Sequence, residues 1–242
     1  LLVVLAGGLV AGLLGSVLLL PVLRTRGHYA ALITVAFGIL FRSFLDVNNT
    51  LGGPQGLTVP GMTIFGWSLN QGLAIGGITL SFYVNYALVT LALAIVVYTV
   101  TRRLERSWVG MHFDAVRIDE LAASTFGLNV QGLKIMAFVI GNVFAGMAGA
   151  VFAMMTGFIS PTDFDFPTSL VLIAIIMLGG IGNLWGILPA AAFVLILPEK
   201  LQAIQEYRFL LYAGAVILVL LYRSAGLFPR RLRRHFPPKA VS

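Results

Sequence analysis

The chain contains no cysteine, only three lysines and three histidines, and just 10% of its 242 residues are charged. Without cysteine there is neither a disulfide framework nor a thiolate metal site, and the redox compartment leaves no trace in the sequence. His28, His112 and His235 are far apart and show no metal-ligand spacing, so they read as interfacial or solvated side chains. No serine sits in a nucleophile-elbow pattern, and enzyme chemistry finds no support. None of Lys134, Lys200 and Lys239 follows a glycine-rich loop, and the G-x-x-x-x-G-K-[ST] phosphate loop does not occur in these residues. Any ATP used alongside this chain must therefore be hydrolysed elsewhere, and no metal or cofactor of its own is expected.

What fills the space left by charge is apolar: 59% of the residues are hydrophobic and the mean hydropathy is +0.96. Ordinary soluble domains carry roughly a quarter charged residues. A bilayer core about 30 Å thick asks for about 20 mostly apolar residues per helical span, and the sequence supplies several such runs. The first covers Leu1 to Leu23 and meets Arg24 and Arg26. The second runs from about His28 to Leu45, with Arg42 and Asp46 near its far end, and leads into the polar stretch "NNTLGGPQGLTVPG". The third runs from about Leu73 to Thr101 and stops at Arg102, Arg103 and Arg106. The fourth covers Lys134 to about Phe158. An apolar run from Leu170 to Leu197 is interrupted by "GGIGNLWG", and a last span from about Phe209 to Tyr222 precedes the arginine-rich tail. The chain begins on Leu1 in an apolar run without the features of a signal peptide, so sequence upstream, with further spans, is expected.

Positive charge decides the orientation. If the loops at Arg24, at Arg102 to Lys134 and after Arg223 all face the cytoplasm, they hold every one of the 16 basic residues except Arg42, Lys200 and Arg208. The net charge of +7 then reports topology rather than nucleic-acid binding. The tail from about 223 to 242 is expected to orient the last span and to touch either anionic lipid or a partner protein. With both ends of the Leu170 to Leu197 run outside, one continuous crossing is excluded. The run is either a re-entrant hairpin of two half-helices or two short tilted spans turning at Gly179 to Gly186, and Gly179 and Gly180 lie beside a substrate path or form a plain turn.

Polar groups inside the spans are few. Asn85 and Asn142 face a pathway or make a helix-to-helix hydrogen bond, the second being the simpler reading. Gly141, Ala145 and Gly149 form a small-residue stripe that reads first as a helix-packing face. Gly52, Gly53, Pro54 and Gly56 have strong turn chemistry in an outer loop that also belongs to the candidate path. Asp46, Asp163, Asp165, Glu199 and Glu206 make the outer side mildly acidic.

The loop from about 102 to 133 is too long for a connector between antiparallel spans. A helical pattern runs from Asp114 to Phe126, with Ile118, Leu121, Ala122 and Phe126 on one face and Asp114, Arg117, Asp119 and Glu120 mostly on the other. Gly127 is its stop signal. Three carboxylates against one arginine argue against an anionic lipid surface and favour a groove on a partner protein, with Ala122 and Ala123 leaving a close-approach surface.

"ELAASTFG", Glu120 to Gly127, resembles the EAA-type cytoplasmic loop of ATP-binding-cassette importer permeases. The longer "FDAVRIDELAASTFGLNVQGLKIMAF" is similar to the form in M-type permeases of branched-chain amino acid importers. "RGHYAALITVAFG", "GGPQGL" and "GFISPTDFDF" with "LGGIGNLWG" follow the same family in order, so the resemblance spans most of the chain. Leu121 stands at the second position of the EAA triplet, as is usual for this subfamily, and Ser124 stands where an acidic residue is common.

The resemblance implies an all-α, polytopic transmembrane helical bundle with broken or re-entrant helices, a single permease domain over 1–242 in a bacterial-type cytoplasmic membrane. It implies a second related permease subunit, two cytoplasmic ATPase subunits that use ATP, and an extracytoplasmic solute-binding protein. Asp119, Glu120, Leu121, Ala122, Ala123 and Gly127 would contact the ATPase, with Arg117 as a charge partner. Substrates within the family include branched-chain and other amino acids, urea and amides. The rival reading is a stand-alone secondary carrier or channel. That reading needs internal repeats or intramembrane charges, and Arg42 is the only candidate near a span interior.

Overall fold

The computed structural model describes residues 1–23, 28–64, 67–70, 73–75, 78–180 and 184–200, with single positions between 207 and 222. The expectations for Arg24 and Arg26, for most of the last span and for the basic tail fall outside the described residues. The chain groups into two compact units, Leu1–Asp163 and Phe164–Ser242.

The first unit is built on four long helices: α1 (Leu2–Leu23), α2 (His28–Val47), α3 (Phe82–Arg106) and α6 (Val130–Thr156), with the short α4 (Trp108–Ile118) and α5 (Glu120–Thr125) between the last two. Among the described residues, α3 and α6 are long and apolar enough to cross a membrane. A third candidate is the end of α2 with the 3-10 turns Asn49–Gln55, which are bent by 91° against it. The apolar run expected from Leu73 begins its helix only at Phe82, and Leu73–Ile75 and Ile78–Leu80 (β4 and β5) pair antiparallel instead. Among the described residues the fold is therefore helical apart from short strand pairs in loops.

α1 and α6 pack antiparallel at close range. A Cβ on Gly7 would meet Ala150, one on Gly12 would meet Val143, and one on Gly15 would run into the Asn142 side chain. From the other side, a Cβ on Gly146 would clash with Ala11 and with the backbone at Gly7 and Gly8. Small residues let helices approach this closely where lipid gives no hydrophobic drive between them. The packing stripe is thus Asn142, Gly146 and Ala150, one residue out of phase with the expected Gly141, Ala145 and Gly149. A Cβ on Gly141 or Gly149 would meet nothing within 4 Å. α6 carries small residues on adjacent stripes, and the glycines of α1 choose between them.

The loop between α2 and α3 is tied down at the far end of the bundle from α4 and α5. Leu57–Thr58 (β1) pairs with Phe158–Ile159 (β6) just after α6. Tyr86, fully buried in the first turns of α3, completes the tie. Its hydroxyl oxygen accepts the Met62 N–H at 3.0 Å and lies 2.8 Å from Asn70 Oδ1 and 2.9 Å from the Met154 carbonyl, one of which takes the hydroxyl proton. One side chain thus joins α3, α6 and the loop, over a core of Val4, Met62, Leu69, Val151 and Met154. Tyr86→Phe keeps the ring but strands buried polar groups, and each such group costs about 1–3 kcal/mol. The expected result is a clear drop in the thermal midpoint of the detergent-purified chain, followed by fluorescence size-exclusion; an unchanged midpoint would contradict this account of the tie.

The second unit contains α7 (Phe166–Gly179) and α8 (Leu184–Lys200). Asp165 caps α7 by accepting the Thr168 N–H at 2.9 Å, and Gly180 leaves the helix at φ +95°. The two helices pack against each other through Ile175, Leu178, Ala190 and Val194. A Cβ on Gly179 would sit 2.8 Å from the Gly186 carbonyl oxygen, so the backbones meet near the turn. At 1.5 Å per residue these helices are about 21 and 26 Å long. The run expected to be broken at Gly179 to Gly186 is a helical hairpin of two short arms.

Candidate functional site

α3 ends in Arg102, Arg103 and Arg106, and cations are favoured at this negative end of the helix dipole. The chain then turns at Ser107, whose hydroxyl donates to the Leu104 carbonyl. α4 presses back on that end: a Cβ on Gly110 would clash with the Glu105 carbonyl. A glycine at this elbow is a packing requirement that the helical pattern does not reveal.

The single helix expected from Asp114 to Phe126 is in fact two. At Asp119 the backbone is extended (φ −155°), and its carboxylate accepts the N–H groups of Leu121 (2.8 Å) and Ala122 (3.1 Å) as the N-cap of α5. Aspartate suits both the polar face of a helix and a cap, and here the cap prevails. α5 ends at Gly127 in the left-handed conformation (φ +81°), where the Leu128 N–H reaches back to the Ala123 carbonyl at 3.2 Å. Nothing lies within 4 Å of the position a Gly127 Cβ would take, so the glycine serves the turn and leaves open space beside it.

The break turns the faces. Ala123 packs inward at 4% exposure, which removes it from the close-approach surface expected of the two alanines, while Ala122 stays exposed. Ile118, Leu121 and Phe126 stand out at 70%, 76% and 86% exposure. The hydroxyls of Ser124 and Thr125 are turned back onto the carbonyls of Leu121 and Ala122 at 2.7 Å each. A six-residue helix is thus stapled at both ends and offers aliphatic and aromatic side chains outward.

Glu120 finds its partner on another helix. Lys134 Nζ, in the second turn of α6, donates to Glu120 Oε2 at 2.7 Å. Arg117 lines a cleft of about 510 Å³ between α4, α5 and α6, with Phe113, Val116, Leu133 and Ala137 on its walls. Sequence reasoning missed Lys134 because the pair spans 14 positions and a turn.

A family model described as "Branched-chain amino acid transport system / permease component" matches residues 1–224. The chain belongs to this permease family. It is 36% identical over 237 residues to the high-affinity branched-chain amino acid transport system permease protein LivM of Salmonella typhimurium, covering 92% of this chain and 56% of that one. The permease protein BraD of Pseudomonas aeruginosa is 28% identical over 175 residues, 71% of this chain and 54% of the relative. The permease protein LivH of Escherichia coli is 25% identical over 217 residues, 87% of this chain and 67% of the relative. The chain thus spans little more than half the length of the LivM it matches. No solved structure matches it.

The other candidate residues of the chain lie in separate places. Gly52, Gly53 and Gly56 all take positive φ in the turns that follow α2, with Pro54 among them. A Cβ on Gly56 would run into the Ile159 carbonyl, so this glycine allows β1 to close on β6. Asn85 donates from Nδ2 to the Leu69 carbonyl at 3.1 Å, anchoring the same loop to α3. Asn142 packs on Gly15 of α1 with its Nδ2 buried and without a hydrogen-bond partner among the described residues. Its contact between helices is steric. Gly179 and Gly180 belong to the α7–α8 turn.

Proposed function

We propose that this chain is a transmembrane permease subunit of an ATP-binding-cassette importer for branched-chain or related amino acids, inserted in a bacterial-type cytoplasmic membrane as a polytopic bundle. It pairs with a second related permease, receives solute from an extracytoplasmic binding protein and, in a complex with two cytoplasmic ATPases, rests on one of them through α5. Similarity to both LivM and LivH supports the pairing of two related permeases. The observation that carries the ATPase contact is α5 itself, a short helix fixed at Asp119 and Gly127 whose Leu121 and Phe126 are left out of the chain's own packing.

The mechanism follows from where α5 sits. ATP binding draws the two ATPases together, and a helix seated in a groove on one of them moves with it. Because α3 and α6 flank the loop, that motion enters two membrane-spanning helices. A ligand can drive such a change only through contacts that differ between states, and the groove on the ATPase supplies them. At the other end Tyr86 holds α3, α6 and the outer loop together, so movement begun at α5 is passed to the face that meets the binding protein. An apolar cavity of about 330 Å³ between α1, α3 and α6, lined by Val4, Leu5, Met62, Leu93 and Met147 among others, offers no charge for a zwitterion.

The test is uptake of labelled leucine into liposomes holding the assembled complex. Uptake that requires ATP, both ATPases and loaded binding protein is the expected result. Uptake by the permease alone, driven by an ion gradient, would favour a stand-alone carrier. Labelled urea in the same assay separates the substrate classes.

A further inference from the structure

We infer that Lys134 is a positioning residue of the coupling apparatus: its ion pair with Glu120 is the polar tie through which displacement of α5 reaches α6. The inference rests on the proposed role of α5 and extends it to a residue outside the EAA-type stretch.

Three observations place the tie. α5 has six residues, too few to persist as a helix by itself, so its position depends on what holds it. Its caps at Asp119 and Gly127 fix its ends to flanking chain, and Ala123 seats it inward, but a cleft of about 510 Å³ separates the surrounding walls of α4 and α6. Packed side chains therefore do not fill the whole path from α5 to the long helix. The Glu120–Lys134 pair spans it at 2.7 Å, joining the first residue of α5 to the second turn of a 27-residue helix.

Both side chains are substantially exposed, 41% for Lys134 and 58% for Glu120. Exposed pairs contribute little to folding stability. Loss of this one should leave the chain folded and loosen the link between α5 and α6. That separates a positioning role from a structural one.

The experiment compares four variants of the complete importer in liposomes: Lys134→Glu, Glu120→Lys, the double exchange and Lys134→Arg. Two quantities are read, the ATPase subunit that co-purifies and the solute taken up per ATP hydrolysed. Lys134→Glu should retain the ATPase and lose about three- to fivefold in uptake per ATP, the most that an exposed ion pair can carry. The double exchange should recover most of that loss, and Lys134→Arg should resemble wild type. Wild-type uptake per ATP in Lys134→Glu would overturn the role. A double exchange no better than the worse single variant would overturn it as well, because Glu120 would then meet a group on the ATPase. A wild-type chain that binds no ATPase would overturn the importer reading and this role with it, whereas normal binding with an unrescued exchange would overturn this role alone.

Discussion

Gly146→Leu is expected to separate α1 from α6 and to destabilise the folded chain strongly. A Cβ at Gly146 meets Ala11 and the backbone of Gly7 and Gly8, so no flexible side-chain end can move aside. Overpacking inside a well-packed contact costs about 1–3 kcal/mol, and a leucine against backbone belongs at the upper end. The helices would have to part along a contact that continues through Gly8, Gly12 and Gly15. Gly141→Leu on the same helix is the matched control, because its Cβ points into open space within this chain. Thermal stability in detergent should fall steeply for Gly146→Leu and hardly at all for Gly141→Leu. Equal losses would contradict the account, because leucine is the better helix former at both positions and only the α1 contact tells them apart.

Leu121→Asp together with Phe126→Asp should abolish recovery of the ATPase with the permease while leaving the permease folded. Both side chains are mostly exposed, so the isolated chain loses almost no packing. In a partner groove each would be worth about 1.5–3 kcal/mol when fully buried, and the introduced carboxylates would be desolvated without partners. Together these changes should weaken the ATPase contact by more than about a hundredfold. Monodisperse permease without ATPase is the expected outcome of a co-purification. Undiminished ATPase would place the contact elsewhere on the loop.

Some of this was readable from residue patterns because the deciding signals are local. The Gly127 stop, the helical break around Gly179 to Gly186 and the turn chemistry of Gly52 to Gly56 each depend on the conformation of one to three glycines. The family resemblance depended on local motifs as well. What escaped the sequence depends on distance or phase. Asp119 fits equally well on a helix face and at a helix start, so the division into α4 and α5 and the inward turn of Ala123 were hidden. Tyr86 reads as an ordinary span residue until the loop around Met62 and Asn70 folds over it. Lys134 reads as a topology charge until Glu120 is placed beside it. The active stripe on α6 could be chosen only by α1.

The central claim is that α5 is the surface on which an ATPase sits, and photo-crosslinking from its exposed face tests it most directly. A photoreactive benzoylphenylalanine replacing Phe126 in the co-expressed importer should give an adduct with the ATPase subunit. The same group replacing Tyr83, exposed at the opposite end of α3, should give none. An ATPase adduct from position 126 alone is the predicted result. Lipid adducts at position 126 with no ATPase would contradict the account and return α5 to a helix lying on the membrane surface.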